Sequence, residues 1–333
     1  MAEQRQIRFG ILGCVAVAGK LARAISLAPN ATISAVGSDT AEKAAAFAAE
    51  NECPATAKLY GGYDAVLDDP DVDAVYIALP TSLHVQWAVL AAQKKKHVLV
   101  EKPAALNVAE LDRILAACES SGVQYMDATP WMHHPRTAKM KEFFSDPLRL
   151  GQLKSRLVEE QQPKRKARCG CHGSSGRRRL VMHLWANDYE LPESVTALRD
   201  PEVNEAGVIL SCGASMKWRD GRVATFYCSF LTNMASDICA YGTAGKLRVH
   251  DFIIPFPGKP APFYTLESFR PLEHGVEAEL PQDVLMVREF CNLAGSGGAP
   301  EKKWAVISRK TQVVVDAVNA SIHNGFKTIE VVY

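Results

Sequence analysis

The sequence predicts an α/β chain in which an N-terminal doubly wound parallel sheet is followed by an α+β unit on an open, largely antiparallel sheet. Three observations carry this. Short apolar runs alternate with amphipathic helices up to about residue 126, successive strands joined by turns replace that alternation from residue 207, and two amphipathic helices come near the end. A length of 333 residues exceeds what one core fills, since cores stop growing at roughly 250–300 residues.

The first strand is Ile7 to Gly13, and Lys20 to Ile25 carries apolar residues at helical spacing behind it. The unit recurs as Thr32–Val36 then Ala41–Glu50, as Ala74–Leu79 then Leu83–Ala92, and as His97–Val100 then Val108–Cys118. The last of these helices is well bounded, with Asn107 as N-cap, Glu110 as capping-box partner and Gly122 just past its end. A final strand at Gln124–Met126 places the domain boundary within Asp127 to Pro135. Residues 1–130 are therefore expected to form one domain and residues 131–333 the other. In the second, Val208–Met216, Val223–Phe230, Ser236–Tyr241 and Lys246–His250 read as strands. The closing helices carry Val284, Val287, Phe290 and Ala294, then Thr311, Val314, Val318 and Ile322.

Charge narrows the function classes. Lysine plus arginine (38) nearly cancels aspartate plus glutamate (37), so no global field draws the chain to nucleic acid or an anionic membrane, and the expected partner is a small molecule. No apolar stretch is long enough to span a bilayer and no secretory signal is visible. With most of the nine cysteines set in apolar patterns, the reading is a reducing, cytoplasmic location.

The turn after the first strand is the first candidate site. A dinucleotide pyrophosphate sits where a glycine-ended strand meets a helix, because the helix presents backbone amides and the positive end of its dipole. Gly13, Cys14, Val15, Ala16 and Val17 occupy that turn, with Val15 where a second glycine is usual. An ordinary tight turn is the alternative. Asp39, after the second strand, stands where a carboxylate hydrogen-bonds the adenosine ribose, which favours NAD over NADP; a helix cap is its other reading. Lys102 follows a buried strand at the carboxyl edge of the sheet, where it could exchange a proton with a substrate hydroxyl; a surface lysine is the alternative. Pro80, Thr81, Ser82 and His84 also follow a strand, with Ser82 equally readable as a cap and His84 as a helix-face residue.

Gly10-Ile11-Leu12-Gly13-Cys14, Pro80-Thr81-Ser82-Leu83-His84, Glu101-Lys102-Pro103 and Trp131 with Pro135-Arg136-Thr137 resemble the glucose-fructose oxidoreductase, inositol dehydrogenase and MocA (GFO/IDH/MocA) family. The branch it is most similar to holds dihydrodiol and D-xylose dehydrogenases. The resemblance implies a Rossmann domain, an α+β domain whose open sheet often forms homodimers, and hydride transfer between nicotinamide and a CH–OH group of a sugar, polyol or cyclic diol. It also implies that Lys102 is the catalytic lysine, fixed by Glu101 and Pro103. Gly10, Pro80, Thr81, His84, Glu101 and Lys102 would line the cofactor beside the turn residues. That branch carries arginine where Asp39 stands and uses NADP, so NAD and NADP both stay open.

From Arg156 to His183 the resemblance lapses into a basic, glycine-rich stretch without the aspartate that the family contributes to its substrate pocket. Residues 156–183 therefore read as an atypical, disordered loop, and a dinucleotide-binding protein with a disrupted pocket is the alternative function. Cys169, Cys171 and His172 lack zinc-site spacing and a fourth ligand, so no metal is expected.

Overall fold

A computed structural model describes residues 6–161, 184–205, 207–231, 235–253, 255, 259–267 and 270–333. The chain forms two compact units, Met1–His133 with Leu280–Ser308, and His134–Glu279 with Arg309–Tyr333.

In the first unit β1 (Ile7–Leu12), α1 (Ala16–Leu27), β2 (Ala31–Gly37), α2 (Ala41–Glu50), β3 (Lys58–Tyr60), α3 (Tyr63–Asp68), β4 (Ala74–Ile77), α4 (Thr81–Gln93), β5 (His97–Val100), α5 (Val108–Ser121) and β6 (Tyr125–Asp127) follow one another. The strands are all parallel and lie in the order β3-β2-β1-β4-β5-β6. Alternate residues of a strand face opposite sides. Val75, Ile77, Val98 and Val100 pack with Leu111 and Ile114 in one core, which leaves Tyr76 on the other face.

Asn107 and Gly122 cap α5 as read, while Glu110 reaches one residue beyond the capping-box position. Asn107 Oδ1 accepts from Glu110 N at 2.9 Å, Gly122 takes a left-handed φ of 66°, and the Glu110 carboxylate reaches back to Leu106 N at 2.9 Å. Gly10 lies within β1, where a Cβ would come 2.4 Å from Val66 Cγ1, so its lack of a side chain lets α3 approach the sheet.

The second unit opens with α6 (Pro135–Phe144) and holds β7 (Leu153–Gln161), β8 (Ser194–Ala197), β9 (Glu202–Val203), β10 (Ile209–Lys217), β11 (Val223–Ser229), β12 (Ala235–Gly242), β13 (Gly245–Val249), β14 (Ala261–Glu267) and β15 (Arg270–Val276). After it come α7 (Gln282–Ala294), α8 (Lys303–His323) and β16 (Ile329–Glu330). The sheet runs β15-β14-β13-β12-β7-β11-β10-β8-β16, with β9 beside β10. Its pairs are antiparallel except β7 with β11.

Two expectations need correction. The stretch that begins at Arg156 is not irregular throughout, because residues 156–161 complete β7, between β12 and β11. Arg156 concealed this strand: it is buried where an apolar residue would be expected, with its guanidinium 5.3 Å from the Trp218 ring centroid. Burial, with Arg222 nearby, pushes its pKa down to about 9. The rest of that stretch, with Cys169, Cys171 and His172, lies outside the described residues. The second domain is also not residues 131–333 entire, since 280–308 belong to the first unit. There α7 packs on α1 and β2, and the Phe290 ring lies tilted against Phe9 of β1, with centroids 5.7 Å apart. Burying that aromatic contributes about 1.5–3 kcal/mol, which an N-terminal half alone would forgo.

Candidate active site

Strand order reverses between β1 and β4, and in open parallel sheets ligands bind at the carboxyl ends of the strands beside such a switch. Gly13 is the first residue past β1. Its φ of +104° and its N–H to Gly37 O at 3.0 Å turn the chain sharply, and a Cβ there would lie 2.7 Å from Ala78 O. Val15 then caps α1 with no capping oxygen, and no acidic side chain lies in the first turn, so the positive end of the helix faces the switch point. Val15 and Val17 are 46% and 41% exposed, so neither branched side chain fills the turn. A cradle that only glycine can line, at an acid-free helix N-terminus, fits a dinucleotide pyrophosphate.

Asp39 stands just beyond β2. The helix cap is Thr40, whose Oγ1 accepts from Lys43 N at 3.3 Å, so the capping alternative does not apply to Asp39. The Asp39 carboxylate instead accepts from Lys43 Nζ and from Ser38 Oγ at 3.0 Å. Those two hydrogen bonds, Lys43 first, hold it below the usual carboxylate range.

At the next strand end Pro80 precedes α4, so Ser82 is not the cap. Thr81 is buried, and His84 is fully enclosed with Nδ1 3.0 Å from Pro103 O and Nε2 2.8 Å from Leu79 O. It ties the loops after β4 and β5 together. Desolvation lowers its pKa despite the carbonyls around it.

The Glu101-Lys102-Pro103 loop follows β5, with a cis bond before Pro103. The Glu101 carboxylate accepts from Tyr76 OH at 2.7 Å and from Lys102 N at 3.1 Å, and Lys102 Nζ lies 3.9 Å from Glu101 Oε2. Both side chains are largely buried.

Two residues here escaped the sequence reading. Tyr76 reads as one more apolar strand residue, yet it is fully buried, and desolvation and then the Glu101 charge put its pKa well above the usual phenol. Asp283, at the start of α7, reads as a first-turn acid. Burial raises its pKa, and it interacts electrostatically with Lys20, Glu101 and Lys102. An acid in the first turn of an amphipathic helix was the only signal for it. The unit thus brings together the Gly13 turn, Asp39, Thr81, His84, Glu101 and Lys102 at the carboxyl edge of one sheet, with Gly10 beneath it in the core.

The fold and this edge are those of a dinucleotide-binding Rossmann domain. Residues 7–129 match the GFO/IDH/MocA model, described as an oxidoreductase family with an NAD-binding Rossmann fold. An uncharacterized oxidoreductase of Rhizobium meliloti is 39% identical over 131 residues, covering 39% of this chain and 38% of that one. The D-xylose 1-dehydrogenase (NADP(+)) 2 of Haloferax volcanii is 36% identical over 140 residues, 42% of each chain. These matches span well under half of either relative's length. A 3-ketoreductase from Actinomadura kijaniata, solved with TDP-benzene and NADP, superposes with a TM-score of 0.85 over 95% of this chain and 98% of its own, at 22% identity. It shows that the fold extends across both units.

Proposed function

We propose that this protein is an NAD(P)-dependent oxidoreductase that moves a hydride between nicotinamide and the CH–OH carbon of a sugar, polyol or cyclic diol. The observation that carries this is Lys102, held against Glu101 at the carboxyl edge of a sheet whose first turn is built for a pyrophosphate. The relatives named as dehydrogenases support the reaction class.

The dinucleotide would lie with its pyrophosphate on the Gly13 turn and the amides of α1, its ribose by Asp39, and its nicotinamide toward Lys102. When bound, it supplies or accepts the hydride. Lys102 Nζ takes the hydroxyl proton as the alcohol is oxidised and returns it in the reverse direction. Glu101 keeps that amine in place by charge and by its bond to the Lys102 N–H, and the buried Thr81 and His84 hold the neighbouring loop.

In this reading the first unit binds the dinucleotide, and the second binds substrate and pairs with a second copy through its open sheet. NAD and NADP both fit, with Asp39 tilting the choice toward NAD. Among the described residues no helix is long and apolar enough to cross a membrane, and the buried thiols of Cys118 and Cys291 support a cytoplasmic location. Following the absorbance of reduced nicotinamide over a panel of aldoses, cyclitols and cyclic diols tests the reading. Turnover of none of them while the dinucleotide binds would overturn it.

A further inference from the structure

We propose that Tyr76 is a positioning residue for Lys102 that acts through Glu101. The inference rests on Lys102 being the proton-handling group.

A phenol buried in the middle of a parallel strand is a costly choice, since phenylalanine would fill the same space without a hydroxyl to desolvate. Here the hydroxyl donates to Glu101 Oε1 at 2.7 Å, while Lys102 N donates to Oε2 at 3.1 Å. The carboxylate is therefore pinned at both oxygens by groups on two different elements, β4 and the loop after β5, and its plane is fixed. Lys102 Nζ sits 3.9 Å from Oε2, close enough for charge attraction and longer than a hydrogen bond. Glu101 thus supplies a fixed counter-charge without taking the ammonium's protons. A second carboxylate, Asp283 on α7, interacts electrostatically with Glu101 and Lys102, and Lys20 on α1 offsets part of its own charge. Without the Tyr76 hydroxyl, Glu101 keeps one anchor and can rotate about it, so the ammonium loses part of its stabilisation.

The test uses the full chain without dinucleotide. The parent, Tyr76→Phe and Glu101→Gln are treated with trace acetic anhydride at fixed pH, and acetylation of Lys102 is read by peptide mass spectrometry against surface lysines such as Lys95 and Lys302. Only the neutral amine reacts, so Lys102 acetylation should rise roughly fivefold in Tyr76→Phe, the weight of about one hydrogen bond, and at least as much in Glu101→Gln. The surface lysines should not change. Where turnover is measured, Tyr76→Phe should move the acidic limb of the kcat–pH profile for alcohol oxidation to lower pH by the same roughly fivefold factor in proton concentration, with KM and dinucleotide affinity within about twofold. A rise in Glu101→Gln with none in Tyr76→Phe overturns the role of Tyr76. No rise in Glu101→Gln overturns the proposal whether or not Tyr76→Phe folds. A rise in both, with no turnover by the parent on any substrate, upholds the Tyr76 clamp and sinks the catalytic reading instead.

Discussion

Replacing Gly13 with alanine tests the phosphate turn at its tightest point. The φ of +104° is a conformation that L side chains rarely adopt, costing about 1–2 kcal/mol. The new Cβ would also lie 2.7 Å from Ala78 O and 3.0 Å from Leu79 Cδ2, and overpacking of this kind costs typically about 1–3 kcal/mol. Backbone atoms cannot swing aside as a flexible side chain would, so the two costs add to roughly 2–5 kcal/mol. Gly122→Ala is the matched control, with φ +66° and no atom within 4 Å of a Cβ, so only the conformational cost applies. Urea unfolding of both variants, followed by tryptophan fluorescence and circular dichroism, isolates the overlap as their difference. Gly13→Ala should lose at least about 1 kcal/mol more than Gly122→Ala. It should also bind dinucleotide about tenfold or more weakly, because relief of the clash displaces the amides at the head of α1. Equal losses of stability with unchanged affinity would show that the turn is neither tight nor the phosphate site.

Lys102→Ala should lower kcat by roughly 10²–10⁴ with dinucleotide affinity little changed, and equal turnover in mutant and parent would remove the amine from the mechanism. Asp39→Ala should raise the ratio of NADP to NAD affinity about fivefold, the worth of one charge pair near 4 Å in water, since Lys43 then meets the 2′-phosphate without a competing carboxylate; calorimetry showing no change would move the ribose site elsewhere. His134 caps α6 by accepting Arg136 N at Nδ1 (3.0 Å), and burial, with Arg136, brings its pKa from 6.5 to about 4. The unfolded chain therefore takes up this proton first, so stability is intact above about pH 6.5 and falls as pH drops toward 4, by at most about 3 kcal/mol. His134→Asn keeps a capping oxygen and should flatten that part of the stability–pH curve; an unchanged slope would refute the assignment.

What could be read from the sequence was whatever is written locally. The caps of α5 are single residues at fixed spacing, and the glycine turn and the Glu-Lys-Pro loop each fit within a few positions. β3 and α3, three and six residues long, are too short for any periodicity to register. β7 was missed because a buried arginine sits in it, and its ring partner Trp218 is distant in sequence. Tyr76 and Asp283 gain their meaning from groups 25 or more residues away, so the pattern around each showed only a strand and a helix. The apolar stripe of α7 announced a helix facing a core, but a stripe does not say which core.

That helix has a consequence for how the protein is made. On a ribosome, β1 to β6 emerge first, yet the face of β1 that carries Phe9 must wait for Phe290, almost the whole chain later. A nascent first unit therefore presents apolar sheet surface throughout synthesis of the second, which makes it a client for chaperones during translation. For the same reason the dinucleotide-binding unit is not a cassette that can be cut at residue 133 and moved elsewhere. Genetic fusions and truncations that respect its apparent sequence boundary leave out its last wall.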